Sequence, residues 1–533
     1  MNWAEIEARK LIENNPEKEK YVIASGVSPS GFIHIGNFRE IVTPYFIGKE
    51  LERLGKEVRY ILSFDDFDRF RKVPKKINSE YEKYIGKPYS SIPSPYNKNK
   101  TYAQEMEDIF LEELKRMNII PEVIYQTNEY KSGRYDHDIE LSLRKRKIIF
   151  DILSRYKTQT FTKEDRDNYY PISLYCNSCG KDSTTIINYD DDTGNISYIC
   201  ECGYQQTQHC NEYKNIKLQW KIDWPMRWKQ EKVDLESGGR DHSEENGSFA
   251  VAKDIVKEIF EYHAPWYVPY DFIGIKGANG KMASSTGNVL TLTNLLEVYD
   301  KNIILWFYAK NKPSHQFNIA LDDDVLRYYS EYDRFVKSYF NGTLDDKNSS
   351  ILKLTDVQED YLKFPDFSMI ANFLPMVNYD ANILNVLLHQ EKEDIDDIHF
   401  KSRLLRATYW LQKYGNSKIC LLSEFNDGYY STLSDLEKSW LNETIAIIEN
   451  GYDDLKDLQS KLYAVVKKYT IDEQELKQLQ KRYFQVIYNM LLGQNRGPKL
   501  YLLLSTIDID RLKLYLICPQ SPDMNDYAYI KNN

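Results

Sequence analysis

The stretch from Ser25 to Gly55 constrains the fold of this chain more than any other. It continues an apolar run, Lys20 to Ser25, whose composition predicts a buried parallel strand. Glycine and serine residues then lead through His34-Ile35-Gly36-Asn37 into a segment whose apolar positions recur at helical spacing. This order predicts an α/β fold with a nucleotide seat, because the N–H groups and positive dipole end of a helix attract phosphate.

Four residues of this turn are candidate nucleotide ligands. His34 and Asn37 lie one helical turn apart, so both can offer hydrogen-bond donors to the same phosphate oxygens. Gly31 and Gly36 allow a ligand to approach the backbone closely. The alternative is a glycine-containing turn between a strand and a helix with a surface histidine.

A second stretch, Ile273 to Asn288, reads IGIKGANGKMASSTGN. Its Gly-rich corners flank Lys281 and the hydroxyl residues Ser284 and Ser285, a composition suited to a loop that closes a cation over a polyphosphate. A solvated turn is the alternative. HIGN near the amino end, followed after a long insertion by GKMASSTGN, is the order of the two signatures of class I aminoacyl-tRNA synthetases, and the chain resembles that superfamily.

Composition excludes several classes of protein. The 533 residues contain 70 Lys and Arg against 80 Asp and Glu, a formal charge of -10, so a basic nucleic-acid coat protein is excluded, whereas a local basic groove for RNA is not. The amino end predicts an amphipathic helix, and no run is long enough to span a bilayer. With seven cysteines, a secreted disulfide scaffold is disfavoured. We expect a cytoplasmic protein with no membrane or DNA partner.

Four cysteines form two knuckles on either side of a turn-rich hairpin. They are Cys176, Cys179, Cys200 and Cys202, and a glycine follows each pair. Four thiolates on two tight turns predict a closed tetrahedral zinc site, and a closed site has a structural role. We expect one zinc ion per chain. His209 and Cys210 are near enough to replace one ligand, although packing is the favoured alternative for them.

The segments between and after these motifs indicate the domain organisation. Residues 55–64 predict a second strand that leads into the acidic cluster Asp65, Asp66 and Asp68, which is either part of a ligand site or a solvated turn. The long segment before the next strand predicts an insertion. Beyond about Leu321, nearly every segment has the periodicity of an amphipathic helix.

A tryptophan-rich segment precedes the second half of the nucleotide fold. Trp220, Trp224 and Trp228 recur every four residues, but Pro225 predicts an interruption, so we do not expect a simple helical stripe. The tryptophans either belong to the core or face an active site as cation partners. Residues 238–242, Gly-Gly-Arg-Asp-His, are predicted at the ligand-facing end of the following strand.

Six motifs, in this order along the chain, narrow the resemblance to one family within the superfamily. They are SGVSPSGFIHIGNFRE, SFDDFDRFRKVP, WKIDWPMRW, GGRDH, GKMASSTGN and LLGQNRGPKL. Together they resemble the class I lysyl-tRNA synthetases over nearly the whole chain. The resemblance implies an α/β Rossmann-type catalytic domain with a zinc-containing insertion, followed by an all-α C-terminal anticodon-binding domain, the α-helix cage. The implied boundaries are residues 1–75 and 215–290 for the catalytic domain, 76–214 for the insertion, 291–345 for a stem-contact subdomain and 346–533 for the helical domain.

The resemblance also implies roles for individual residues. The lysine pocket is implied at Gly26, Ser28, Trp220, His242 and Tyr270. Catalytic contacts to ATP are implied at His34, Asn37, Lys281, Ser284 and Ser285, and the ATP-binding set at Gly31, His34, Gly36, Asn37, Gly239, Asp241 and Lys281. The implied activity is lysine–tRNA ligation: L-lysine and ATP, with Mg²⁺, form lysyl-adenylate and pyrophosphate, and lysine passes to the 3′ end of tRNA(Lys).

The sequence departs from the family pattern at three places. Ser28 stands where threonine is common, which keeps the hydroxyl, and Ala283 replaces the first serine of the usual KMSSS. The stretch PSPYNKNKTYAQEM lacks the cysteine and histidine of a second metal cluster, so we expect that site to be lost. The alternatives are a class I synthetase for another amino acid and a catalytically silent paralogue that binds tRNA.

Overall fold

The computed structural model describes residues 1–517 except 76, 278–289, 378, 392–393 and 416–419. The chain divides into two compact units, one formed by residues 1–320 and 342–357, the other by 321–341 and the residues from 358 onward. Within the described ranges, no helix is long and apolar enough to cross a membrane.

All strands lie in the first unit. In chain order they are β1 Lys20–Val27, β2 Glu57–Phe64, β3 Glu122–Tyr125, β4 Ile172–Leu174, β5 Thr184–Tyr189, β6 Asn195–Cys200, β7 Gln205–His209, β8 Ile216–Leu218, β9 Leu235–Gly239, β10 Trp266–Tyr270, β11 Ile273–Ile275 and β12 Phe317–Ile319, as far as the described residues show.

The helices are distributed over both units. In the first unit they are α1 Trp3–Asn14, α2 Ile35–Arg53, α3 Tyr102–Arg116, α4 Gln126–Ser132, α5 Asp136–Arg144, α6 Arg146–Arg155, α7 Lys163–Asp167, α8 Trp220–Glu231, α9 Arg240–Ser243, α10 Ser248–Glu258, α11 Leu292–Leu296 and α12 Lys301–Lys310. Next come α13 Asp324–Phe340 in the second unit and α14 Asp346–Lys353 in the first. The second unit continues with α15 Phe367–Phe373, α16 Ala381–Glu391, α17 Asp397–Lys413, α18 Asp427–Tyr430, α19 Asp435–Glu449, α20 Leu455–Lys467, α21 Glu473–Leu492, α22 Leu500–Ser505 and α23 Ile509–Leu516.

A five-stranded parallel sheet forms the base of the first unit. Its strand order is β10-β9-β1-β2-β3, and every adjacent pair is parallel. From β1, the next strands β2 and β3 are added on one side, whereas β9 and then β10 are added on the other side. This reversal of order places a topological switch point between β1 and β9. Ligands of open α/β sheets bind at such a point, outside the carboxyl ends of the strands. The predicted strand, turn and helix are confirmed as β1 and α2.

Small antiparallel sheets carry the predicted cysteine knuckles. Strands β5, β6 and β7 form one sheet, and β4 pairs with β8 in another. The predicted hairpin is confirmed as β5 and β6, which a turn at residues 190–194 connects. Strand β3 belongs to the main sheet although it lies within 76–214, the segment that the sequence assigns to the insertion.

Helix α8 corrects the expectation for the tryptophan segment. The helix runs without a break through Pro225, so Trp220, Trp224 and Trp228 do form one helical stripe. The ring centroids of successive tryptophans are 5.2 and 5.0 Å apart. A proline inside a helix removes one backbone hydrogen bond and strains the preceding turn. Trp224 and Trp228 are both buried, and this packing holds the helix together despite that cost.

Residues 266–275 form two short strands that belong to different sheets. Strand β10 ends at Tyr270 in the main sheet, whereas β11 begins at Ile273 and pairs with β12. The buried guanidinium of Arg39 on α2 stabilises the break, because it donates to the carbonyl oxygens of Asp271 and Lys312, both at 2.8 Å. Arg39 therefore holds the chain at the point where it leaves the main sheet. The sequence of this segment alone could not indicate the contact, because Arg39 lies more than two hundred residues away.

The second unit is helical throughout the part that the structure describes, in agreement with its amphipathic periodicity. Its interior contains one fully buried arginine, Arg403 on α17. The guanidinium of Arg403 donates to both carboxylate oxygens of Asp333 on α13, at 2.8 and 2.7 Å, and to the hydroxyl of Tyr361 at 2.7 Å. These bonds satisfy a charge that burial would otherwise make costly.

Candidate active site

A cavity opens at the switch point of the main sheet. It is bounded by the carboxyl ends of β1, β2, β3 and β9 and by one face of α8. Of the lysine-pocket residues implied by the sequence, the cavity is lined by Gly26, Trp220 and His242. The centroids of the Trp220 and His242 rings are 6.3 Å apart. Residues that lie almost two hundred positions apart in sequence are thus brought to one site.

The other two implied pocket residues do not line this cavity. Ser28 follows β1 and lies close to Tyr89: burial raises the pKa of that hydroxyl, and Ser28 lowers it slightly. Tyr270, at the end of β10, donates its hydroxyl to Oε2 of Glu40 at 2.8 Å. Tyr270 is therefore linked to the cavity through Glu40, which does line it.

Glu40 enters the cavity from α2. Hydroxyl groups of Ser25 on β1 and Ser237 on β9 donate to its backbone carbonyl, at 3.3 and 3.0 Å, which fixes the helix against both strands. Burial raises the pKa of the Glu40 carboxyl to about 8, although the Tyr270 hydroxyl bond partly opposes this shift. At neutral pH, Glu40 is largely a neutral acid that a nearby cation would ionise.

Glu236 on β9 provides a second buried carboxyl. The indole N–H groups of Trp224 and Trp228 both donate to its Oε2, at 2.9 and 2.5 Å. Burial raises the pKa of Glu236 to about 7, while the two indole bonds lower it. The tryptophan stripe therefore has a polar role: it orients a carboxyl at the cavity wall.

The acidic cluster after β2 is part of a buried ion-pair network. Asp65 accepts from Arg227 at 2.6 Å, and Lys217 bridges Asp68 and Asp223 at 2.8 and 2.9 Å. Asp223 is fully buried and also pairs with Arg227. The cluster is therefore not a solvated turn. It joins β2 to β8 and α8, and Asp65 remains at the cavity wall.

His34 and Asn37 form a capping box at the start of α2. Nδ1 of His34 accepts from the N–H groups of Gly36 and Asn37, at 3.1 and 3.3 Å, and Oδ1 of Asn37 accepts from the His34 N–H at 3.3 Å. Because Nδ1 accepts, the neutral ring carries its proton on Nε2. A Cβ atom at Gly36 would lie 2.9 Å from the His34 ring, so glycine is required there.

The remaining implied ATP residues lie at different places. Gly239 ends β9 and Asp241 is exposed on α9 immediately after it, whereas Gly31 is buried in the loop before α2. At neighbouring Gly238 a Cβ atom would lie 2.2 Å from the Tyr267 hydroxyl, so this strand end admits no side chain. Lys281, Ser284 and Ser285 lie outside the described residues, as does Ala283.

The four predicted cysteine ligands converge. Their sulfur atoms all lie within 4.8 Å of one another. Sγ of Cys176 is 3.8 Å from Sγ of Cys202, and Sγ of Cys179 is 3.6 Å from Sγ of Cys200. A tetrahedral zinc with Zn–S bonds of about 2.3 Å requires sulfur atoms about 3.8 Å apart, so the geometry fits zinc. His209 and Cys210 belong to a separate cluster with Glu140.

Sequence reasoning missed Glu40 and Glu236, the two carboxyls that give the cavity its chemistry. One indication was available for Glu40, a charged residue three positions after Asn37 that directly precedes the apolar residues Ile41 and Val42. Glu236 lies in the middle of a buried strand, where an isolated carboxyl is costly and therefore indicates a function or a partner.

Comparisons with known proteins identify the family of this chain. Residues 1–358 match the family model described as tRNA synthetases class I (K). The lysine–tRNA ligase of Borreliella burgdorferi is 32% identical over 529 residues, which cover 96% of this chain and 98% of that protein. The lysine–tRNA ligase of Pyrococcus horikoshii is 32% identical over 533 residues, with coverages of 96% and 99%. A solved glutamate tRNA ligase from Elizabethkingia meningosepticum covers 93% of this chain and 98% of its own at 12% identity, with a TM-score of 0.47. The chain belongs to the class I tRNA synthetase (K) family.

Proposed function

We propose that this protein is a lysine–tRNA ligase. It activates L-lysine with ATP to form lysyl-adenylate and pyrophosphate, and then transfers lysine to the 3′ end of tRNA(Lys). The observation that carries the proposal is the cavity at the switch point, where Glu40 and Glu236 lie beside Gly26, Trp220 and His242. The relatives named lysine–tRNA ligases, which align over nearly the full length of the chain, support the same activity.

The lining of the cavity suits a lysine side chain. The cavity has a volume of about 60 Å³, and the Trp220 ring borders it. A lysine side chain is an unbranched stem of methylene groups that ends in an ammonium. Its methylene groups would pack along the Trp220 ring, which borders the cavity.

The charge of the cavity supports a cationic substrate. Four carboxyls line it, those of Glu40, Asp65, Glu231 and Glu236. Arg227 is paired with Asp65 and Arg59 with Glu231, so Glu40 and Glu236 are the carboxyls that remain for a cationic ligand. A bound ammonium would place a positive charge beside Glu40 and stabilise its ionised form. A glutamate side chain would instead be repelled, and a neutral analogue of lysine would bring no charge to pair with Glu40 and Glu236.

The chemistry of the first step requires positioning and no protein nucleophile. The lysine carboxylate attacks the α-phosphate of ATP in line, and pyrophosphate leaves with the electron pair of the broken P–O bond. ATP would lie over the N-terminus of α2, where Nε2–H of His34 and the amide of Asn37 can donate to phosphate oxygens. Mg²⁺ would accompany the phosphates and offset their charge.

The helical unit supports binding of a large RNA substrate. We propose that residues 346–533 bind the anticodon region, 291–345 the stem and 76–214 the acceptor end of tRNA. Within the helical unit, a cavity of about 590 Å³ is lined by aromatic and basic side chains, including Tyr463, Phe484, Tyr488, Lys456 and Lys499. Aromatic rings stack unpaired bases and lysines attract phosphates, so this cavity suits a nucleotide of an RNA loop.

The experiment that tests the proposal is ATP–pyrophosphate exchange with each amino acid in turn. We expect exchange with lysine alone, followed by transfer of lysine to tRNA(Lys) in a charging assay. Exchange with arginine or glutamate would overturn the lysine assignment in favour of another class I specificity. Absence of exchange with any amino acid, together with tight binding of tRNA, would identify a catalytically silent paralogue.

A further inference from the structure

The segment that follows the GKMASSTGN motif is hydrogen-bonded to two other parts of the first unit. This segment, residues 290–293, lies just after the motif and leads into α11. The backbone N–H of Ile35, the second residue of HIGN, donates to the carbonyl oxygen of Leu290 at 2.9 Å. The N-terminus of α2, where ATP would lie, is thus bonded to the chain that leaves the second motif.

Glu113 on α3 provides the second contact to this segment. Its Oε1 accepts from the backbone N–H of Thr293 at 2.9 Å, across 180 positions of sequence. Thr293 lies in the first turn of α11, where a backbone N–H has no acceptor within the helix. The carboxylate of Glu113 therefore satisfies a donor that α11 itself leaves open.

The contact is made in the interior of the unit. Glu113 is 3% exposed, and its neighbours Phe110 and Leu114 on α3 are buried apolar residues. Burial of a carboxyl costs free energy unless hydrogen bonds compensate it, and the Thr293 N–H supplies such a bond. Since water has little access to this bond, its loss would leave the N–H and the start of α11 without that support.

The other flank of the motif is fixed as well. Strand β11, which precedes the motif, pairs with β12, and the backbone N–H of Lys276 donates to the carbonyl oxygen of Ile319 at 2.9 Å. The chain that carries Lys281 therefore begins and ends at held positions. A shift of residues 290–293 would displace one of these two ends relative to the N-terminus of α2.

From these contacts we infer that Glu113 is a positioning residue for adenylate formation. Its carboxylate fixes the segment after GKMASSTGN beside the N-terminus of α2, and this sets where Lys281 meets the phosphates of ATP. This role rests on the proposed function. It also gives the insertion, residues 76–214, a part in the first chemical step, because the residues that the sequence implies for ATP binding all lie outside the insertion.

The test compares leucine variants of two buried carboxyls on the same helix. Glu113→Leu removes the acceptor of the Thr293 N–H. Glu107→Leu is the matched control, because Glu107 is 2% exposed and its Oε1 has no hydrogen-bond partner among the described residues. Lysine-dependent ATP–pyrophosphate exchange is measured on the full chain with tRNA(Lys) present, together with the lysine KM and the melting temperature.

We expect the exchange rate to distinguish the two positions. Glu113→Leu should lower the rate about 10- to 100-fold at unchanged lysine KM, because a small misplacement of a group that acts on the transition state has an effect of that size. Glu113→Gln keeps an oxygen acceptor for the Thr293 N–H and should retain most of the parental rate. Glu107→Leu should exchange at the parental rate.

A double-mutant cycle with Lys281→Ala separates positioning from a general loss of structure. If Glu113 acts through Lys281, adding Glu113→Leu to Lys281→Ala should change the rate by no more than about twofold. Rate losses that multiply in the double variant would show that Glu113 acts independently of Lys281 and would overturn the inference.

The remaining outcomes are also decisive. A parental rate in Glu113→Leu, or an equal loss in Glu107→Leu, would overturn the role of Glu113 alone, whereas a parent protein without lysine exchange would overturn the proposed function and this role with it. If Glu113→Leu does not fold, Thr293→Pro decides the outcome, because it removes the N–H donor in the first turn of a helix, where proline is tolerated. Thr293→Pro should then lower the rate as expected for Glu113→Leu.

Discussion

The hydroxyl of Tyr270 donates to Oε2 of Glu40 at 2.8 Å, which connects the end of β10 to a carboxyl on α2 that lines the cavity. The tyrosine therefore orients a carboxyl that can bind the substrate ammonium, and it need not contact lysine itself. Under the proposed function, Glu40 would carry the charge complementary to lysine and Tyr270 would have a positioning role.

Replacement of Glu40 by glutamine should weaken lysine binding. The loss of a charged hydrogen bond costs about 1.5–3 kcal/mol, so the lysine KM should rise about 10- to 150-fold while the ATP KM stays nearly constant. Tyr270→Phe should have a smaller effect in the same direction. Tyr156→Phe, which removes a similar tyrosine–carboxylate bond to Asp254 outside the cavity, is the matched control. An unchanged lysine KM in Glu40→Gln would exclude Glu40 as the ammonium partner.

Lysine affinity should depend on pH through Glu40. The pKa of this carboxyl is raised to about 8 in the free protein, so below pH 8 it holds a proton that a bound ammonium would displace. Binding then releases a proton, and the lysine KM should fall about tenfold per pH unit as the pH rises towards 8. Isothermal titration in buffers of different ionisation enthalpy measures the proton directly. A pH-independent KM in the parent protein would contradict the prediction, and Glu40→Gln should flatten the profile.

Trp220→Ala should raise the lysine KM without a large loss of stability. Trp220 is partly exposed at the cavity, and a cation or its methylene stem on an indole face contributes about 0.5–2 kcal/mol. Trp3→Ala is the control, because Trp3 is buried in the same unit and does not line the cavity. That variant should lower the melting temperature and leave the lysine KM unchanged. A destabilised Trp220→Ala with normal lysine KM would place Trp220 in the core instead of the pocket.

Lys281→Ala should slow adenylate formation more than it weakens lysine binding. Lys281 lies outside the described residues, and the prediction follows from its place in the GKMASS motif. Removal of one preorganised charge-stabilising donor costs about 2–4 kcal/mol in the transition state, which corresponds to a rate loss of about 30- to 900-fold. Single-turnover kinetics separates the rate of adenylate formation from binding. Preserved turnover with only a raised lysine KM would show that Lys281 has another role.

Cys202→Ser should remove the structural zinc. The sulfur separations of 3.6 and 3.8 Å suit a closed four-cysteine site, and loss of one ligand weakens both the metal and the fold that depends on it. Elemental analysis of protein purified without chelators should show a loss of one zinc equivalent relative to the parent, with faster proteolysis of the knuckle region. Equal zinc contents in variant and parent protein would contradict the assignment.

The sequence by itself determined the elements that depend on local spacing. The strand, turn and helix around His34, the hairpin between the cysteine pairs and the helices after Leu321 follow from apolar periodicity and turn residues, which act over a few positions. The four cysteines that converge are equally local, because each pair lies on one tight turn. Gly180 and Gly203 follow these pairs with φ of +74° and +89°, conformations that favour glycine.

Only the tertiary structure decided the chemistry of the cavity. Glu40 on α2 and Glu236 on β9 are almost two hundred residues apart in sequence. They line the same cavity because β9 lies beside β1, the strand that leads into α2, in the sheet. Packing also overrode local rules, since buried tryptophans carry α8 through Pro225 and buried cations turn the acidic cluster after β2 into an ion-pair network. Local sequence encodes which element forms. The contacts that create a site arise when residues distant in sequence are buried together, and desolvation and pairing then determine where each charged side chain lies and whether it is ionised.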